Sequence, residues 1–126
     1  MRPRHTLLAG VTLMGLAVAL GAFGAHALRG TLGPHALEIW QTAVRYQAWH
    51  GLALIGLGVW MDRHGRLAGP GAGAWALLVG TLLFSGSLYA LALSGWKALG
   101  MITPIGGLLM LTGWALWGWA LYRSRD

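Results

Sequence analysis

The chain has no cysteine, and only three of its 126 residues are acidic: Glu38, Asp62 and Asp126. Without cysteine there is no disulfide framework, no thiolate metal site and no sulfur nucleophile. With Asp62 and Asp126 read as solvated, Glu38 is the one carboxylate placed for acid–base work, so paired-carboxylate chemistry is excluded. No H-E-x-x-H pair and no G-x-S-x-G elbow occurs, so neither a zinc hydrolase nor a serine hydrolase has its signature here. Charge of any kind is scarce. Asp, Glu, Lys and Arg make up 10% of the residues, against roughly a quarter in a soluble chain.

What fills the chain instead is apolar: 56% of the residues are hydrophobic. That composition belongs in lipid. The net charge of +6 would suit a nucleic-acid surface if it were clustered. The Lys and Arg residues lie mostly between apolar runs, as in membrane topology, so no nucleic-acid partner is expected.

The first apolar run, about residues 6–28, follows Arg2 and Arg4. It supplies the roughly 20 residues that a hydrocarbon core of about 30 Å requires of a helix. A secretory signal is the competing reading, since Ala25-His26-Ala27 has the form of a cleavage site. The run exceeds the usual signal core of about 7–15 residues. Ala17, Gly21 and Ala25 also give it a small-residue face suited to helix packing, so a retained helix is expected.

A short loop at 29–33 leads to Pro34, suited to the first turn of a second helix. Nothing stronger than a glycine interrupts the sequence up to Met61. The length predicts an interfacial start over 34–39 and a span over 40–60, with Trp40 and Trp60 in the two aromatic belts. A charged, Gly/Pro-rich connection follows, then a third span over 74–93 and a loop carrying Trp96 and Lys97. Thr103 reads as an N-cap and Pro104 as the first residue of a fourth span over 104–122. The expected fold is an all-α integral membrane four-helix bundle forming one domain. Arg2, Arg4, Arg63, Arg66, Arg123 and Arg125 fall on one side, and Arg29 and Lys97 on the other, with Arg45 just inside it. That bias predicts both termini in the cytoplasm.

The second helix holds the most informative residues. Glu38, Gln41 and Arg45 share a face, and Tyr46 and His50 form a second pair one turn apart, with Gln47 nearby. Together with His26, and with Ser85, Ser87 and Tyr89 of the third helix, they are the candidate polar pocket. Ionisable groups at membrane depth face a bundle interior or a partner. Two accounts are open. In one, Arg45 binds an anionic group or serves a proton path. In the other, Arg45, Glu38 and Gln41 form a structural network that joins helices. Either way, Arg45 is expected to meet an acceptor from another helix, a carbonyl end or a bound anion. The serines of the third helix read first as packing residues. A haem held by His26 and His50 is disfavoured. His26 ends the first helix, whereas His50 lies roughly 15 Å into the second by its rise per residue. No metal and no cofactor is expected.

At GAFGAHALR, WQTAVRYQAWHGLAL, FSGSLYALALSG and ITPIGGLLMLTGW the chain resembles the YgdD/YwdK-like family of small multi-pass membrane proteins of unknown function, which has eukaryotic relatives. The resemblance covers about residues 10–120. Its pattern falls here on His26, Trp40, Ala43, Tyr46, Gln47, His50, Ser85, Gly86, Tyr89, Pro104 and Gly106. It implies an integral protein of the bacterial inner membrane with a retained first helix, and it supplies no activity and no catalytic residue. The function expected from size and composition is a binding or accessory protein for lipid, quinone or a larger membrane complex. A small oligomeric transporter or channel is the alternative. A membrane enzyme using His50 or Glu38 is the weakest option, because its acid–base set is so thin.

Overall fold

The structure, a computed structural model, describes residues 1–65 and 70–124. Arg66, Arg125 and Asp126, used above for topology and charge, lie outside the described residues. The described residues form four helices: α1 (Pro3–His26), α2 (Pro34–His64), α3 (Pro70–Ser94) and α4 (Thr103–Arg123). A short 3₁₀ helix, Lys97–Met101, precedes α4.

Pro3, Pro34 and Pro104 each lie in the first turn of a helix. There the missing N–H has no intrahelical acceptor to lose and the fixed φ is already helical. Two glycines close helices from the other end. Gly65 and Gly95 both adopt φ +69°, and their amides bond back to Met61 O at 3.1 Å and Leu91 O at 2.8 Å. A residue with a Cβ is strained in that conformation.

The described part of α3 runs from Pro70, ahead of the expected span over 74–93, and Pro70, Gly73 and Ala74 are buried. Thr103 is not a side-chain cap. Its hydroxyl lies 2.6 Å from Ser87 Oγ on α3, so it joins two helices instead of closing its own amide. The segment 34–39 continues into α2 without a break.

The helices pack in chain order, α1 on α2, α2 on α3, α3 on α4. Glycines set the closest approaches. A Cβ on Gly10 of α1 would sit 2.7 Å from Gly51 O of α2. A Cβ on Gly106 of α4 would sit 2.7 Å from Gly80 O of α3. Small residues let backbones meet in this way where lipid offers no hydrophobic force between helices. The buried face of α1 is Thr6, Gly10, Leu13, Ala17 and Gly24. The expected small-residue face is therefore right at Ala17 but turns to Gly24 at the end, leaving Ala25 exposed.

Among the described residues, three helical segments are long and apolar enough to cross a membrane: Pro3–His26, Pro70–Ser94 and Lys97–Arg123. α2 carries Glu38, Arg45 and several polar side chains and falls outside that group. It is nevertheless packed between α1 and α3, with Leu54 and Leu57 fully buried. A helix whose neighbours cover it has less need of apolar side chains toward lipid. Outward from the bundle the exposed residues are large and apolar, among them Val18 on α1, Leu52 on α2, Leu82 on α3 and Leu108 on α4. Such an all-round apolar exterior suits an acyl-chain solvent rather than water.

Candidate functional site

The candidate residues separate into an interior network and an outer rim. The hub of the interior is Gln47, 4% exposed and one turn before Gly51 on α2. Its amide nitrogen donates to Leu13 O of α1 at 2.9 Å, and its Oε1 accepts from the Tyr89 hydroxyl of α3 at 2.7 Å. The amide orientation follows from the partners. A carbonyl can only accept, so nitrogen faces Leu13 and oxygen faces the phenol. One side chain thus ties three helices together.

Ser85 adds a second tie. Its hydroxyl donates to Ala43 O of α2 at 2.7 Å, rather than back to its own helix as Thr81 does to Leu77 O. Ala43 is fully buried, and its side chain is a single methyl. Ser87 bonds to Phe84 O at 2.9 Å and meets Thr103 of α4.

His50 joins α2 to α4. Its Nδ1 lies 2.7 Å from Tyr46 O, and its Nε2 lies 3.1 Å from the indole nitrogen of Trp114. A carbonyl needs a donor and an indole N–H needs an acceptor. The two contacts together select the neutral ring with its proton on Nδ1. The Tyr46 ring stacks beside it, 6.2 Å between centroids and 9° between planes.

Trp40 is turned into the bundle. It is buried, its indole N–H donates to Leu20 O of α1 at 2.9 Å, and its ring meets Tyr89 edge-on at 4.6 Å. Gly24 makes the space, since a Cβ there would be 2.6 Å from the Trp40 ring. Trp40, Trp114 and Thr103 are therefore network members missing from the sequence-based pocket. Trp40 and Trp114 carry N–H donors that would be costly to leave unpaired in a membrane interior. That was the signal available for them.

The rim comprises His26, Glu38, Gln41 and Arg45, all exposed. Arg45 and Gln41 border a groove of about 170 Å³ between α1 and α2, with Gly21, Gly24 and Trp40 along it. Glu38 borders a different groove, of about 240 Å³, with Leu88 of α3. Among the described residues Arg45 has neither an ion pair nor a side-chain hydrogen bond, so the expected interhelical acceptor is absent. The reason is angular. The outward ridge of α2 runs through residues 38, 45, 49 and 52, while Gln47 and His50 point inward. His26 ends α1 at the surface and His50 is turned toward α4, so the two imidazoles do not converge.

The chain is similar to membrane proteins of unknown function. Residues 20–107 match a family model described as a protein of unknown function (DUF423). The chain is 48% identical over 99 residues to the UPF0382 inner membrane protein YgdD of Escherichia coli K12, covering 79% of this chain and 75% of that one. It is 39% identical over 101 residues to the UPF0382 membrane protein YwdK of Bacillus subtilis, covering 80% and 82%. A UPF0382 membrane protein of Staphylococcus aureus is 46% identical over 101 residues, covering 80% and 81%. No solved structure matches the chain.

Proposed function

The chain belongs to this family of membrane proteins of unknown function, and on that premise we propose that it is a binding or accessory protein acting through its lipid-facing surface. One observation carries the reading. These interior polar side chains are spent on hydrogen bonds within the bundle: Gln47 on Leu13 O and the Tyr89 hydroxyl, Ser85 on Ala43 O, and His50 on Tyr46 O and the Trp114 indole. Groups locked in mutual hydrogen bonds hold helices together. A transport path or an acid–base site needs polar groups with capacity to spare. One buried donor among the described residues, the Trp117 indole N–H, has no partner; Gln41, Arg45 and Glu38 lie on the rim, at grooves that open to the surroundings.

We place the end of the bundle that carries Arg2, Arg4, Arg63 and Arg123 in the cytoplasm, and α2 across the bilayer with its neighbours. The support is the basic bias of that end and the packing of α2 along α1 and α3.

Native mass spectrometry of the protein extracted from its own membrane with mild detergent tests the proposal. Retained lipid or a stoichiometric membrane partner is the expected result. A bare chain with neither overturns it, and measurable solute flux in proteoliposomes would favour the transporter alternative.

A further inference from the structure

We propose that Arg45 and Gln41 form a headgroup site for an anionic phospholipid, in the groove between α1 and α2. This rests on the surface-binding reading above and names its ligand.

Depth comes first. The groove faces Gly21 and Ala25 of α1, residues in the last turns of an apolar helix that ends at His26. Gly21 lies five residues before that end, roughly 8 Å along the axis. Arg45 is thus near the edge of the apolar zone, at the level where lipid phosphates and esters lie.

Charge comes second. A guanidinium at this depth requires a counter-charge or strong hydrogen-bond acceptors. The chain offers few. Of its three carboxylates, Asp62 closes the far end of α2 and Glu38 borders the other groove, and among the described residues neither pairs with Arg45. The planar fork of Arg matches a phosphate with two parallel N–H bonds. Gln41, one turn earlier on the same groove, adds an amide donor for a further oxygen.

Shape comes third, and it separates a lipid from free phosphate. On the same ridge, four and seven residues beyond Arg45, Trp49 and Leu52 are 55% and 57% exposed. A basic head site followed by an exposed apolar track has the order of a phospholipid, phosphate first and acyl chain after. The small side chains at Gly21 and Ala25 leave the trough open beside the head site.

The test uses the full chain in nanodiscs of equimolar phosphatidylglycerol and phosphatidylcholine, released into mild detergent and read by native mass spectrometry. The expected result is preferential retention of phosphatidylglycerol by wild type. Arg45→Gln should reduce that preference by roughly ten-fold, the factor that about 1.4 kcal/mol represents. Arg63→Gln, at the other end of the bundle, should not change it. Ala25→Trp, which fills the groove and leaves the charge in place, should also lower retention. It keeps the test decisive if Arg45→Gln does not fold.

Equal retention of both lipids by wild type overturns the site, as does unchanged preference in Arg45→Gln or, should that variant not fold, in Ala25→Trp. Displacement of phosphatidylglycerol by millimolar inorganic phosphate overturns the lipid assignment in favour of a simple anion site. If neutral lipid or a protein partner is retained without anionic preference, the site fails and the surface-binding reading stands. A chain that retains nothing ends both.

Discussion

The Tyr89 hydroxyl on α3 donates to Gln47 Oε1 on α2 at 2.7 Å, while the same amide donates onward to the Leu13 carbonyl of α1 at 2.9 Å. The pair therefore sets the spacing of three helices at one level. Gln47→Leu removes both bonds and leaves the phenol without its acceptor, for an expected loss of about 1–3 kcal/mol. Tyr89→Phe removes one bond and strands no charge, so about 0.6–1.7 kcal/mol is expected, the range for interhelical bonds in membranes. Steric-trap unfolding of the two single variants and the double variant measures this. Strict additivity of the two losses would show that the pair is not coupled.

Arg45 is only two residues from Gln47, but about half a turn around the helix puts it on the outward side. Arg45→Gln should change stability by no more than about 0.5 kcal/mol, as at ordinary exposed positions. The same unfolding assay compares it with Gln47→Leu. A loss for Arg45→Gln as large as that for Gln47→Leu would place the guanidinium inside the network.

The His50 ring is held between Tyr46 O and the Trp114 indole N–H. Nitrogen NMR on histidine-labelled protein should show His50 with a protonated Nδ1 and an unprotonated, hydrogen-bonded Nε2. Trp114→Phe should shift the Nε2 signal and leave Nδ1 nearly unchanged. The opposite tautomer would mean that Tyr46 O is not its partner.

Two glycines of neighbouring helices make a controlled comparison. A Cβ on Gly106 would fall 2.5 Å from Phe84 N and 2.7 Å from Gly80 O, both backbone atoms that cannot step aside. Gly106→Ala should part α3 from α4 and cost about 1–3 kcal/mol, the range for overpacked interiors. Gly86 has nothing within 4 Å of its would-be Cβ, and Gly86→Ala should be neutral or stabilising by up to about 1 kcal/mol. Thermal unfolding in detergent should order the variants as Gly86→Ala, wild type, Gly106→Ala.

Gly24 and Trp40 offer a spectroscopic version of the same contrast. A methyl at residue 24 would press on the indole at 2.6 Å and pull its N–H from Leu20 O. Gly24→Ala should therefore move the Trp40 indole N–H resonance and raise local amide exchange near Leu20. Ala25→Ser, on the exposed side, should do neither.

The bare order and kind of residues set the class of molecule, because solvent preference is a sum over residues. Scarce charge and long apolar runs require helices in lipid whatever their arrangement. The same order also determined where helices begin, since proline acts on its own turn. Pro34 and Pro104 are legible in this way. Among the candidate residues, Gln47, His50, Ser85, Ser87 and Tyr89 could be named from residue type. Polar groups among apolar neighbours must find partners. Which partner each one found belonged to the tertiary structure. A side chain's bearing follows from helical period, but the neighbour it meets depends on how closely two backbones approach, and that is set by pairs such as Gly10 with Gly51 and Gly80 with Gly106. Only that packing turned Trp40 inward onto Leu20, sent Ser85 across to Ala43, and left Arg45 outside with its charge unmatched by the described chain.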